Sequence, residues 1–278
     1  GADEAERILA WKPQRFITVR PNALRISAAE FEARLDKLEL RWEHSRVPGA
    51  YRVFGMGAVD RNPLYRQGLF SVQGESSLMC AQVIAPKPGM QVLDACAAPG
   101  GKAAALAEMM QGSGRVYACD LHAHRVELIR ASAVRLGHDT IKPRVQDAAK
   151  FVPDWEGSMD AVLCDVPCSG LGVIRKKPEI RFKDPAALSQ LPAIQRDILE
   201  GLAPCVRPGG VLVYSTCTVL ARENEDVVRD FLRTHPEFAP EAFSLPLPAA
   251  DTAGGMFTFW PQEHETDGFF VCKLRRHE

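Results

Sequence analysis

From about residue 87 onward, short apolar runs alternate with amphipathic stretches, and this alternation constrains the fold more than any other feature of the sequence. The runs that have the length and composition of buried strands lie at residues 91–95, 115–119, 143–146, 160–164 and 211–215. The stretches with helical spacing lie at residues 102–110, 123–136, 193–202 and 223–233. Strands that alternate with helices indicate a mostly parallel sheet in an α/β domain.

The two ends of the chain depart from this alternation. Two strands are predicted at residues 256–260 and 268–274, and they indicate an antiparallel edge of the sheet. The elements predicted near the N-terminus are a strand, a helix and a second strand, at residues 16–19, 28–38 and 50–54. We therefore expect a small α+β module at residues 1–62, followed by a larger α/β domain at residues 63–278.

The composition is that of an ordinary globular protein, because 46% of the 278 residues are hydrophobic and 25% are charged. No apolar run has the length of a membrane helix, and no signal peptide is visible, although the chain begins with Gly1. We therefore expect a cytoplasmic protein without a membrane partner. The eight cysteines include no CxxC pair, which argues against a zinc site, and we expect no bound metal.

A glycine-rich turn follows the first predicted strand of the larger domain, in the stretch DACAAPGGK at residues 94–102. Small residues let a ligand approach the backbone closely, and Asp120 follows the second strand, where an acid can bind ribose hydroxyls. Loops after parallel strands often contain glycine and aspartate, so each feature alone is weak evidence. Together they favour an adenosine-containing cofactor. The absence of a phosphate-binding signature favours S-adenosyl-L-methionine over NAD.

Two cysteines follow two later strands, Cys168 in DVPCSG and Cys217 in STCT. Buried cysteines are usually inert, but both of these stand at strand ends beside small polar residues, which indicates chemistry. Two thiols beside a methyl donor suit methylation of a pyrimidine at C5. A thiolate that adds to C6 makes C5 electron-rich, and a second group must then assist release of the thiolate. The residues alone do not rank the two thiols.

The set formed by DACAAPGGK, Asp120, Asp147, DVPCSG and STCT closely resembles the RNA 5-methylcytosine methyltransferases, from about residue 18 to the C-terminus. Three further stretches resemble the bacterial RsmB (Sun/Fmu) branch of that family: VRPNALRIS at 19–27, GLFSVQGESS at 68–77 and GVIRKKPEIR at 172–181. The resemblance implies a Rossmann-like fold that binds S-adenosyl-L-methionine. It also implies an enzyme that forms 5-methylcytosine in small-subunit ribosomal RNA through a covalent Cys–C6 adduct.

The resemblance implies roles for four catalytic residues. Cys217 matches the nucleophile that attacks C6, and Cys168 matches the cysteine that helps to break the adduct. Asp165 matches an acid near the cofactor and the amino edge of the cytosine, where a hydrogen bond would stabilise the adduct. Lys102 matches a lysine of the same site.

The resemblance also implies a set of cofactor-binding residues, which includes Asp165. The positions that match the loop at the methionine part of the cofactor are Cys96, Ala97, Ala98, Pro99, Gly100, Gly101 and Lys102. Asp120 matches the acid at the ribose, and Asp147 matches the residue near the adenine. Arg125 is a candidate at the ribose, although an exposed helix arginine explains it equally well.

The sequence departs from the family pattern at Ala103, where threonine or serine is usual. The branch also carries an N-terminal helical RNA-binding domain that this sequence lacks, so we expect that the domain was removed or that this member dispenses with it. The substrate is therefore less firmly implied than the reaction. Transfer RNA as the substrate, or a non-catalytic role as an RNA-binding assembly factor, stays an alternative.

The net charge of −1 argues against a nucleic-acid partner, but residues 174–183 carry five basic side chains against one glutamate. This segment directly follows DVPCSG, which favours contact with RNA phosphates over a merely solvated loop. A target cytosine must leave its stack to reach a buried thiol, so we expect a single-stranded or loop target. We expect the protein to be a monomer.

Overall fold

The structure is a computed structural model, and it describes residues 2–10, 15–248 and 250–277. Its helices are α1 (Ala2–Ala10), α2 (Ala28–Lys37), α3 (Pro63–Arg66), α4 (Glu75–Val83), α5 (Gly101–Met109), α6 (Ala123–Leu136), α7 (Pro185–Ser189), α8 (Leu191–Leu202), α9 (Glu225–Thr234) and α10 (Pro261–His264). Its strands are β1 (Phe16–Pro21), β2 (Trp42–His44), β3 (Tyr51–Phe54), β4 (Phe70–Val72), β5 (Gln91–Asp94), β6 (Arg115–Asp120), β7 (Ile141–Val145), β8 (Met159–Asp165), β9 (Val206–Thr216), β10 (Phe238–Pro240), β11 (Met256–Phe259) and β12 (Phe269–Arg276). No helix in the described part of the chain has the length and apolar composition needed to cross a membrane.

The N-terminal sheet has four antiparallel strands in the order β2-β3-β1-β4. Phe31 and Leu35 lie one turn apart on α2, and both are fully buried against this sheet. The sheet includes β4, so it continues past the predicted division between residues 62 and 63. A three-residue strand is too short to show alternation in the sequence. The division into two domains stays a prediction.

The larger sheet has the strand order β10-β12-β9-β8-β5-β6-β7, with β11 paired to β12. Strands β5 to β9 run parallel to one another, and β12 runs antiparallel to β9. This arrangement confirms the predicted α/β fold, a mostly parallel sheet with an antiparallel edge. Strand β10 was not predicted, because it is only three residues long.

Two glycines with positive φ mark helix ends beside the parallel strands. Gly100 precedes α5 with φ +105°, and Gly137 follows α6 with φ +71°. A Cβ at Gly137 would lie 2.1 Å from the Arg25 guanidinium, so both the backbone and the space require glycine there. Ala103 in α5 is fully buried, so the residue that departs from the family pattern packs in the core.

A buried polar cluster joins the N-terminal sheet to the larger domain, and we name it the junction cluster: Arg20, Asn22, Glu108 and His138. Arg20 of β1 forms an ion pair with Glu108 of α5. Nε2 of His138 lies 3.4 Å from Oε1 of Glu108 and 3.3 Å from Oδ1 of Asn22. The Asn22 amide donates to the carbonyl of Leu136 at the end of α6. The cluster therefore fixes β1 against α5 and α6.

Candidate active site

The carboxyl ends of β5, β8 and β9 lie side by side, because these strands are neighbours in the parallel sheet. Asp165 at the end of β8 is in register with Ser215 of β9, and the Val166 amide donates to the Ser215 carbonyl at 3.1 Å. Ligands bind outside the carboxyl ends of such strands. The loops that carry Cys168 and Cys217 therefore leave the sheet next to each other.

The two cysteine thiols are in contact, with 3.2 Å between the Sγ atoms of Cys168 and Cys217. The hydrogen bond from Cys168 lowers the pKa of the Cys217 thiol, and the charges of Lys102 and Lys177 add to this effect. Burial and the Asp165 carboxylate oppose it. The same hydrogen bond, together with burial, raises the pKa of Cys168 well above its usual range. Cys217 is therefore the thiol that ionises first.

An ion pair stands beside the thiols. Nζ of Lys102 lies 2.7 Å from Oδ2 of Asp165, and the Ser215 hydroxyl donates to Oδ1 of Asp165 at 2.7 Å. Burial alone would lower the pKa of Lys102, but the attraction of Asp165 outweighs it, and the pKa of Lys102 is raised. Lys102 also lies over the Phe269 ring, 5.2 Å from the centroid. The lysine is therefore charged and held on two sides.

Fully buried side chains hold the two cysteine loops together. Oε2 of Glu223 accepts a hydrogen bond from the Ser169 amide at 2.8 Å and another from Gln195 at 3.2 Å. Gln195 also donates to the Pro167 carbonyl, and the Ser169 hydroxyl donates to Thr218. The residues on both sides of Cys168 are thus tied to the segment after Cys217. Sequence reasoning missed Glu223 and Gln195, which no motif marks, and it gave no role to Ser215, although Ser215 begins the STCT motif.

The glycine-rich loop lies next to Asp94 and has room for a ligand. A Cβ at Gly101 would have no neighbour within 4 Å. Neither carboxylate oxygen of Asp94 has a hydrogen-bond partner among the described residues, and burial raises the pKa of Asp94 to about 7. A buried carboxylate without a partner fits a ligand that carries positive charge, as S-adenosyl-L-methionine does on its sulfonium and ammonium groups. The residues present therefore fit this cofactor.

The residues predicted at the nucleoside end also come together. Oδ2 of Asp120 lies 3.1 Å from a guanidinium nitrogen of Arg125, and Arg125 donates to the Ala98 carbonyl in the glycine-rich loop. Arg125 thus links Asp120 to the glycine-rich loop and is not only an exposed helix arginine. The Gln146 amide donates to the Asp120 carbonyl at 3.0 Å, which brings the segment that holds Asp147 to the same place. Which of these residues contacts a cofactor stays a prediction.

The predicted site residues therefore lie in the segments that follow β5, β6, β7, β8 and β9 or at the ends of these strands, and their roles stay predictions. The remaining loop residues, Cys96, Ala97, Pro99 and Gly100, lie between β5 and α5, where the Ala97 amide donates to the Cys119 carbonyl of β6. Within residues 2–10, 15–248 and 250–277, no group of three or more histidine, cysteine, aspartate or glutamate side chains could hold a metal ion.

Comparison with known proteins identifies the family. A sequence model described as "16S rRNA methyltransferase RsmB/F" matches residues 81–275. The chain belongs to this family. It is 42% identical over 226 residues to the "Probable ribosomal RNA small subunit methyltransferase B" of Bacillus subtilis, which covers 79% of this chain and 51% of that protein. It is 35% identical to the protein of the same name from Synechocystis, over 99% of this chain and 64% of that protein.

A solved structure agrees with the assignment to the RsmB/F family. The crystal structure of PH0851 superimposes with a TM-score of 0.90 at 34% identity, over 99% of this chain and 62% of that one. The predicted family and the Rossmann-like methyltransferase fold are confirmed. Methyltransferases of this family take the methyl group from S-adenosyl-L-methionine, so the cofactor prediction is confirmed at the level of the family. The chain spans between half and two thirds of the length of these relatives.

Proposed function

We propose that this chain methylates C5 of a cytosine in RNA, through a covalent bond between Cys217 and C6 of the base. The observation that carries the proposal is the thiol pair, with 3.2 Å between the sulfur atoms and a lowered pKa at Cys217. We propose small-subunit ribosomal RNA as the substrate, because the relatives from Bacillus subtilis and Synechocystis are named for it.

The reaction begins when the Cys217 thiolate adds to C6, which breaks the C5–C6 double bond and makes C5 nucleophilic. S-adenosyl-L-methionine, when bound, supplies the electrophilic methyl group that C5 takes up. C5 then gives up its proton to water, and the electron pair of that C–H bond restores the C5–C6 double bond as the Cys217–C6 bond breaks and the thiolate leaves. In this proposal Cys168 assists the release, since its Sγ atom lies 3.2 Å from the Cys217 sulfur, within hydrogen-bond distance.

The Lys102–Asp165 pair supplies the electrostatic part of the proposed reaction. The Asp165 carboxylate accepts a hydrogen bond from the cytosine amino group and so orients the base over Cys217. Lys102 offsets the negative charge of Asp165, which would otherwise oppose the thiolate. Residues 96–102, Asp120, Arg125 and Asp147 hold the cofactor, and the partnerless carboxylate of Asp94 supports this placement.

The test is bisulfite sequencing of unmodified small-subunit ribosomal RNA and of bulk transfer RNA after incubation with the protein and S-adenosyl-L-methionine. One protected cytosine in the ribosomal RNA is the expected result. Protection confined to transfer RNA would keep the chemistry and replace the substrate. No protection in either RNA, nor in isolated small ribosomal subunits, would refute the proposal.

Cysteine variants test the two roles separately. Cys217→Ala should abolish methylation, whereas Cys168→Ala should accumulate a protein–RNA adduct that survives a denaturing gel. Cys205→Ala is the matched control, because Cys205 is buried at the opposite end of β9 and should leave methylation unchanged. Methylation at the normal rate by Cys217→Ala would rule out the proposed nucleophile.

A further inference from the structure

An aromatic side chain stands almost fully in solvent beside the active site. Phe182 is 87% exposed, more than any other large hydrophobic residue that the structure describes, and Val134 follows at 75%. Phe182 ends the 3-10 helix Pro178–Phe182, within the basic segment 174–183. A phenylalanine ring this exposed buries almost no apolar area in the fold, and its face is open to contact with a partner.

The backbone around Phe182 is anchored to the loop of Cys168 from both sides. Ile180 is buried against Gly170, where a Cβ would lie 3.1 Å from the Ile180 side chain. Nζ of Lys183 donates to the Ser169 carbonyl at 2.9 Å and lies 3.4 Å from the Cys168 carbonyl. Phe182 lies between these two anchors. Its exposed ring is therefore carried by a segment that contacts the Cys168 loop on both sides of Phe182.

The charges around Phe182 identify the kind of partner. Within residues 174–183, five basic side chains stand against Glu179. Lys176 is paired with Asp267 at 2.8 Å, whereas Lys177 and Arg181 are exposed, and the charge of Lys177 reaches Cys217. An exposed ring among cations is the arrangement that binds single-stranded nucleic acid, where bases stack on aromatic side chains and phosphates face lysine and arginine.

We propose that Phe182 stacks on an unpaired base next to the target cytosine. This inference rests on the proposed function. When the target leaves its stack to reach Cys217, the neighbouring base loses a stacking partner, and the Phe182 ring replaces that partner. Stacking needs only a π face, so Phe182 holds the strand without reading the neighbour's identity.

The test measures binding of a short single-stranded oligoribonucleotide with 2-aminopurine beside a central cytosine, on a Cys217→Ala background so that no adduct forms. Phe182→Ala should weaken binding about tenfold, the equivalent of one stacked base, and should reduce the quenching of 2-aminopurine. Phe182→Trp should restore both. Val134→Ala removes the next most exposed hydrophobic side chain and should change neither.

Salt dependence separates stacking from charge. Phe182→Ala should leave the slope of log affinity against log salt unchanged, whereas Lys177→Ala should reduce it by about 0.7. Unchanged affinity and quenching in Phe182→Ala, or no rescue by Phe182→Trp, would overturn the stacking role and leave the proposed function intact. If the parent protein binds no oligonucleotide, the stacking role falls, whereas the proposed function is decided separately by bisulfite sequencing.

Discussion

Two of the ion pairs with little exposed surface invite comparison, because only one of them belongs to the candidate active site. Arg20 and Glu108 in the junction cluster have side chains 9% and 5% exposed, and Lys102 and Asp165 have side chains 12% and 24% exposed. Both pairs are enclosed, and both involve charges whose pKa departs from its usual value. Burial of charge therefore does not by itself mark a catalytic centre.

The two pairs differ in what surrounds them. The junction cluster lies between β1, α5 and α6, where the side chains of Arg20 and Glu108 are at most 9% exposed. The Lys102–Asp165 pair stands at strand ends, where both charges act on the Cys217 thiol and Lys102 ends the glycine-rich stretch. The first pair holds two parts of the fold together, and the second is placed where a substrate could reach it. We therefore expect substitutions in the junction pair to reduce mainly stability, and substitutions in the Lys102–Asp165 pair to reduce mainly catalysis.

The largest effect should follow from breaking the junction pair. Arg20→Met leaves Glu108 buried without its partner, which should lower the free energy of unfolding by about 3–5 kcal/mol. Chemical denaturation measures this cost. Adding Glu108→Met should recover most of the loss, because it removes the stranded charge. A double variant as unstable as the single one would show that the cost is not electrostatic.

Breaking the active-site pair should instead reduce catalysis. Lys102→Met leaves the Asp165 charge unopposed beside the Cys217 thiolate, which should lower single-turnover methylation about 100- to 1000-fold. The free energy of unfolding should fall less than in Arg20→Met, because Asp165 is open to water on one side. Lys142→Met, at an exposed lysine of β7, is the control for loss of a positive charge. A larger stability loss than in Arg20→Met would contradict the comparison.

Substitution of Glu223 should affect both stability and the thiols. Glu223 is buried like the junction pair, and it also holds the two cysteine loops together. Glu223→Ala leaves the Ser169 amide without its acceptor and should cost about 1–3 kcal/mol of unfolding free energy. The thiols should separate, so the pH at which iodoacetamide labels Cys217 half-maximally should rise. Asp226→Ala, at an exposed acid nearby, should cost less than about 1 kcal/mol and leave the labelling profile unchanged. An unshifted profile in Glu223→Ala would rule out a positioning role.

The last prediction concerns the pH dependence of the junction cluster, which affects stability only below about pH 6.5. Burial, with the charges of Arg20, Arg25 and Arg135, lowers the pKa of His138 to about 4, against about 6.5 in an unfolded chain. Between these values the unfolded chain binds a proton that the folded chain does not, so stability falls as the pH drops from about 6.5 to about 4. Denaturation at several pH values should show this fall in the parent protein, and His138→Gln should flatten it. Equal pH profiles for the two proteins would show that His138 does not titrate differently on folding.

Motifs at the ends of long, buried strands could be predicted from the sequence. The periodicity located β5, β6, β8 and β9, and parallel pairing then required their carboxyl ends to meet. The placement of Cys168, Cys217 and Asp165 in one site follows from that geometry. The ranking of the two thiols did not follow, because it depends on the contact between the sulfur atoms and on the burial and charges around each, which a sequence does not show.

The remaining contacts depend on packing between distant segments. Arg20 and Glu108 are 88 positions apart, and neither belongs to a motif that signals the other. Glu223 stands in a stretch whose spacing predicted only a helix, whereas its carboxylate is fully buried beneath Ser169. Strands β2, β4 and β10 have three residues each, too few to show a period of two.

Two glycines fasten the last strand to the cysteine loops through backbone atoms alone. The Gly172 amide donates to the Cys217 carbonyl at 3.0 Å, and the Gly268 amide donates to the Gly172 carbonyl at 2.9 Å. A Cβ at Gly172 would lie 2.0 Å from the Gly268 carbonyl oxygen, so no side chain fits at this crossing. A nascent chain that has not yet reached Gly268 lacks this fastening. The last of the backbone hydrogen bonds at this crossing can therefore form only after synthesis has passed Gly268.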